Sequence, residues 1–457
     1  MKLTFPQTWQ QALISCVIGC AISGAVVTGM ARPGAVYHIG YPVLARSSMG
    51  MYGFFFFVFI RAVIGTIAYG IQTFYGANLL STCLRCIFGS SWENMPNRLP
   101  ASAHVTSKTL LCFFLVWLIQ FPLCFIHPSR IRTLFTIKGI LVPIATFGIF
   151  GWCMAHGTGL STIDSQSKTS SGPLGWAIMS GINTVLGTLS PMLVNQPDLA
   201  RYCRKPRDAG ALQGVSVFVA KVLVMFLGLR RRARFRDLNE AILDRYWTAA
   251  GRAGVFLVSF TYLLSVFGMN VGANSIPFGA DMNGLLPKIL TIRRGQVLCA
   301  VLSVCFVPWE LIATAQKFIT FLGSYNIFVA PICGIILVDY FIIRRGNIHV
   351  PSLYDGRPRS LYWFTSGVHV PGVVAWCVGV SFGLPGLVGS YEPAAVNQSA
   401  KDMYKIGWIL YASAAALTYY VMVTFLERPA EVPEIEGDQP GDWVVPVEVS
   451  LPSSKKS

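Results

Sequence analysis

YGFFFFVFIRAVIGTIAYGIQTFYGANLL, residues 52–80, carries a single charged side chain, Arg61, and the amide Gln72 deep among small and aromatic residues. A hydrocarbon core about 30 Å thick is crossed by about 20 helical residues, so this stretch is long enough to span one. No water reaches the backbone there, and a helix satisfies its own N–H and C=O groups. Working outward, ten more blocks of the same kind appear. The eleven spans predicted fall at 11–31, 52–80, 108–126, 134–155, 174–196, 210–229, 253–278, 296–314, 318–342, 363–386 and 404–426. The fold class is therefore all-α, a polytopic membrane helix bundle over residues 1–428. An acidic, Pro-rich cytosolic tail follows at 429–457, with the composition of a disordered segment.

Composition agrees. Of 457 residues, 53% are hydrophobic and 12% charged, against roughly 25% charged in soluble domains. The net charge of +16 does not indicate nucleic acid. Lys and Arg cluster between apolar blocks, where they set orientation and meet anionic headgroups. Placing Arg32 and Arg46 in the cytosol puts Arg130, Arg132, Arg201, Arg204, Lys205, Arg207, Arg293, Arg294, Arg344 and Arg345 there too. The sequon Asn397-Gln398-Ser399 then lies outside. The loop 230–252, with seven arginines, breaks this pattern. Cys83 and Cys86 form a lone CxxC and the six histidines show no HxxxH spacing, so neither a metal site nor a metalloenzyme is expected.

Three features carry chemistry. In Gly187-Thr188-Leu189-Ser190-Pro191, the proline removes a donor and frees the Gly187 carbonyl four residues back. A broken helix lining a substrate cavity and an ordinary proline kink both fit. Asn270 and Asn274 share a helix face at i and i+4. Their amides offer donors and acceptors matching the N–H and C=O edge of a uracil-like ring, although asparagine also ties membrane helices together. Gln72 has the same capability and the same alternative. Arg61 reads as an anchor or an internal ion-pair partner.

At these residues a resemblance becomes specific. Arg32-Pro-Gly-Ala-Val-Tyr-His-Ile-Gly-Tyr-Pro-Val, Phe59-Ile-Arg-Ala, Tyr69-Gly-Ile-Gln, Leu99-Pro-Ala-Ser, Asn195-Gln-Pro-Asp-Leu-Ala-Arg-Tyr, Ala273-Asn-Ser, Pro287-Lys, Ile292-Arg-Arg-Gly-Gln and Asp339-Tyr-Phe-Ile-Ile-Arg-Arg-Gly occur in the order of the nucleobase–cation symporter family. The branch resembled is that of the fungal uracil, uridine and allantoin permeases, over roughly residues 5–428. The resemblance implies a LeuT-like inverted repeat, about 11 of whose 12 spans are present, with the first span and N-terminal tail lacking. It implies alternating access and a plasma-membrane location. Gln72, Asn270 and Asn274 match residues that hydrogen-bond the heterocycle in the family. The two aromatic residues that sandwich it there are replaced by Ala68 and Leu189. The arginines at 230–236 have no counterpart, and Ala241-Ile-Leu-Asp-Arg-Tyr-Trp rejoins the family pattern. These two departures suggest a truncated gene or a misread external loop.

Sodium-driven members carry hydroxyl residues just before the first asparagine, where this chain has Gly268 and Met269. Hard cations want several oxygens, so a proton is the coupling ion expected and no cofactor is implied. The expected function is secondary active symport of a nucleobase-type ring. The alternative is a non-transporting relic or sensor of the same fold.

Overall fold

A computed structural model describes residues 9–125, 132–156, 174–229, 235–312, 315–392 and 394–426. The acidic tail and the arginines at 230–234 lie outside the described residues. In chain order the main helices are α1 (Trp9–Tyr37), α2 (Tyr41–Met49), α3 (Phe54–Phe88), α4 (Ser107–Gln120), α5 (Arg132–His156), α6 (Leu174–Val194), α7 (Gln196–Ala200), α8 (Ala211–Leu229), α9 (Phe235–Arg245) and α10 (Ala249–Met269). A π-helical segment, Asn270–Ser275, runs on into α11 (Ile276–Leu285). Then come α12 (Ile292–Cys305), α13 (Ala315–Val338) with a second π segment at Asp339–Ile343, α14 (Val370–Ser381), α15 (Leu384–Tyr391), α16 (Gln398–Ile406) and α17 (Trp408–Phe425). Among the described residues no strand forms beyond one isolated bridge, Thr365 to Val368.

Among the described residues, ten helical stretches are long and apolar enough to cross a membrane, one fewer than predicted. The difference lies at 296–314. There α12 has 14 residues, about 21 Å at 1.5 Å each, and stops at Cys305. Val307 then takes a left-handed φ of 47° ahead of Pro308, a conformation that costs a β-branched residue dearly and ends the helix there. Elsewhere the ends follow local chemistry. The side chains of Thr106, Thr248, Thr291 and Asn397 accept from backbone N–H groups of the first turns of α4, α10, α12 and α16, as N-caps do.

Lipid gives helices no hydrophobic reason to associate, so small residues that permit close approach decide the packing. At α1 and α8, a Cβ on Gly24 would lie 2.9 Å from the Gly214 carbonyl oxygen. The two backbones touch where a larger residue could not stand. The long, central α3 packs on α4, on α10 with its π segment, and on α11 and α12.

Candidate functional site

The interrupted helix is not where the proline suggests. α6 runs from Leu174 to Val194 through Pro191, and the Gly187 carbonyl accepts the hydroxyl of Tyr325 on α13. The helix is continuous through Gly187–Pro191. The Gly187 acceptor is occupied by protein, and Leu189 is buried at 3% exposure.

The break in regular α geometry falls on the asparagines instead. In the π segment Asn270–Ser275, Asn270 is fully buried and Asn274 nearly so. Asn274 Nδ2 donates to Asn270 Oδ1 at 2.9 Å. Asn270 Nδ2 donates to Gln120 Oε1 and to Thr73 Oγ1, both at 3.1 Å. Gln120 Nε2 donates to Thr73 Oγ1 at 2.7 Å, and the Thr73 hydroxyl donates to the Tyr69 carbonyl at 2.8 Å. Three elements, α3, α4 and the π segment, thus meet through one unbroken chain of hydrogen bonds in which each inner member is fully buried. Sequence reasoning missed Gln120 and Thr73. Gln120 sits at the C-terminal end of α4, where it reads as a polar residue leaving the membrane.

Gln72 precedes Thr73 and is half-buried. Gly65, Ala68 and Gln72 fall on one face of α3 by helical spacing. A Cβ on Gly65 would meet the Asn274 carbonyl oxygen at 3.8 Å and nothing nearer. That face of α3 therefore looks at the π segment across ordinary contact distance, with half-buried Ala68 and Gln72 beside it.

A buried ionic cluster adjoins the amides. Arg61 Nη1 donates to Asp198 Oδ2 at 2.6 Å and to Asn195 Oδ1 at 3.3 Å. Its Nε donates to Asp281 Oδ2 at 3.0 Å, and Nη2 pairs with the other oxygen of Asp281. The guanidinium lies 4.0 Å from the centroid of the Tyr41 ring, a cation–π contact. Asn195 Nδ2 donates to the Ala273 carbonyl at 2.7 Å, so the cluster grips the π segment's own backbone. Arg61 is an internal ion-pair partner, and Asp281 is half of its pairing. One cation faces two carboxylates.

A many-helix membrane bundle whose polar side chains converge on an irregular helix at its centre is the layout of a secondary transporter. A family model described as a permease for cytosine/purines, uracil, thiamine and allantoin matches residues 3–410, and the chain belongs to this family. It is 30% identical to the allantoin permease of Saccharomyces cerevisiae over 440 residues, covering 92% of this chain and 69% of that protein. It is likewise 30% identical to the uracil permease of the same yeast, over 91% and 69% of the two chains. Among solved structures it matches Mhp1, a nucleobase-cation-symport-1 family transporter, closed with bromovinylhydantoin bound. The TM-score is 0.67 at 18% identity, over 92% of this chain and 87% of that one. The LeuT-like fold implied by the motifs is the fold found.

Proposed function

We propose that the chain is a plasma-membrane permease that moves a nucleobase-type heterocycle together with a proton by alternating access. The observation that carries the reading is the buried amide chain ending at Asn274, beside the α3 face that holds Ala68 and Gln72. An amide held through its nitrogen, with its oxygen left over, suits the edge of a flat ring that carries N–H groups. The named permeases among its relatives carry uracil, uridine or allantoin in their names, which supports the same substrate class. Ala68 and Leu189 supply no stacking ring, so the ring is held mainly along its polar edge.

Two observations favour a proton over sodium. Neither Gly268 nor Met269 brings a side-chain oxygen, and the space beside Gly268 is taken by Lys138. A Cβ there would lie 2.9 Å from Lys138 Cδ and 3.2 Å from Nζ. Across the site, Asp198 and Asp281 share the Arg61 guanidinium, and Asp281 is the carboxylate there that would carry the proton.

Uptake of labelled uracil and allantoin by cells that lack their own permeases tests this. Saturable uptake that rises as the outside pH falls and ignores replacement of sodium by choline is expected. Uptake that requires sodium rejects the coupling, and the absence of saturable uptake of either ring leaves a non-transporting member of the family.

A further inference from the structure

The hydrogen-bond chain has a direction, and one residue sets it. An Asn or Gln amide can turn over, exchanging its oxygen and nitrogen, and the surrounding partners decide which way it lies. Between Gln120, Asn270 and Asn274 alone, both directions are equivalent. All three amides could turn together and keep every bond among themselves. Thr73 removes that symmetry. Its only proton goes to the Tyr69 carbonyl, which can do nothing but accept. Thr73 Oγ1 is thereby left as an acceptor, and the amide atoms of Gln120 and Asn270 that touch it must be nitrogens. Asn270 Oδ1 then faces Asn274, whose Nδ2 must turn toward it. The Asn274 oxygen is the group left over, at the least buried end of the chain.

We propose that Thr73, acting through Gln120 and Asn270, fixes the hydrogen-bonding polarity of the substrate site, so that Asn274 presents an acceptor and selects rings that offer it an N–H. Thr73 and Gln120 are positioning residues, since neither reaches the ring. The proposal rests on the permease reading above and deepens it. It explains why a threonine and a glutamine are buried among lipid-spanning helices without facing the site. A mismatched pair of acceptors in a dry site forfeits a hydrogen bond and leaves both desolvated, so the preference is not subtle.

Uracil and cytosine share a shape and both carry N–H groups, but their polarity is opposite along the edge at positions 3 and 4, so an acceptor set against N3 separates them. Uracil offers N3–H beside an oxygen at position 4, and cytosine offers a bare N3 beside an amino group. Competition against labelled uracil uptake, with surface expression followed by a fluorescent tag, reads the ratio of their inhibition constants. The wild type is expected to prefer uracil by at least about tenfold. In Thr73→Val the amides are free to turn, and the preference is expected to fall to within about threefold. Thr73→Ser keeps the oxygen and keeps the preference. Gln120→Met gives an intermediate ratio, because Thr73 still holds the Asn270 nitrogen directly, and it carries the test if Thr73→Val fails to reach the membrane. A ratio unchanged in both Thr73→Val and Gln120→Met, or a wild type indifferent to the two rings, overturns the proposal while leaving the permease reading standing. Failure of the wild type to take up any ring defeats the permease reading itself.

Discussion

The two π-helical segments share a backbone irregularity and use it in opposite ways. At Asp339–Ile343 the side chains close upon themselves. The Asp339 carboxylate receives Ser47 Oγ at 2.8 Å, Tyr419 OH at 2.8 Å and Arg344 Nε at 2.9 Å. Arg344 also donates to the Ser47 carbonyl at 2.8 Å and lies over the Tyr362 ring. One cation meets one anion, and each oxygen is used. At Asn270–Ser275 the chain of bonds begins at a backbone carbonyl and ends at an amide with a face to spare. The adjoining cluster has one cation for two anions. A π turn frees carbonyls and re-aims side chains; whether it locks or presents depends on whether those side chains run out of protein partners.

The largest effect that would break this contrast is expected at Arg61. Arg61→Met leaves Asp198 and Asp281 together without a cation, and removing one member of a buried ionic set costs about 3–5 kcal/mol. The thermal unfolding midpoint in detergent should fall steeply, and adding Asp198→Asn with Asp281→Asn should recover much of the loss. A midpoint unmoved by Arg61→Met would mean the cluster is solvated rather than sealed.

Next comes the locked segment. Asp339→Asn keeps the shape but leaves Arg344, whose side chain is 9% exposed, without a counter-charge. About 2–3 kcal/mol of stability should go, while the KM for a transported ring stays within about twofold. The presenting segment should behave in the reverse way. Asn274→Ala removes one internal bond, worth about 1 kcal/mol, yet it should raise the KM for uracil by at least about tenfold. Equal effects of the two variants on stability and on KM would erase the distinction between the segments.

Most of the span lengths, the Asn270–Asn274 pairing and the ion-pair reading of Arg61 were legible because each is a local pattern: apolar length, i to i+4 spacing, a lone charge in an apolar block. Gln120 and Thr73 were not. Their meaning depends on contacts between residues 47 and 150 positions apart in the chain or more, and a threonine bonded to its own i−4 carbonyl looks like any other threonine in a membrane helix. Pro191 leaves two readings open for a related reason. Sequence shows that the Gly187 carbonyl is freed but not that Tyr325, 138 residues on, arrives to take its place. The break at 270–275 has a proline of its own, Pro277, four residues beyond Ala273. Its freed Ala273 carbonyl is claimed by Asn195, another long-range partner.

The smallest effect is expected far from both segments, at Asn397. Its side chain caps α16 by accepting from Ala400 N at 3.0 Å, and the same side chain heads the sequon placed outside by the charge pattern. The two roles are compatible, because a glycan attaches through Nδ2 while the cap uses Oδ1. Asn397→Asp retains the cap and removes the glycan; Asn397→Ala removes both, and losing a cap costs about 1 kcal/mol. Both variants should lose a glycosidase-sensitive mobility shift on electrophoresis, and Asn397→Ala alone should show the small drop in thermal midpoint. A wild type with no such shift, expressed in a glycosylating host, would argue that this loop faces the cytosol. The orientation of every span, and with it the side from which the substrate meets Asn274, would then have to be reversed.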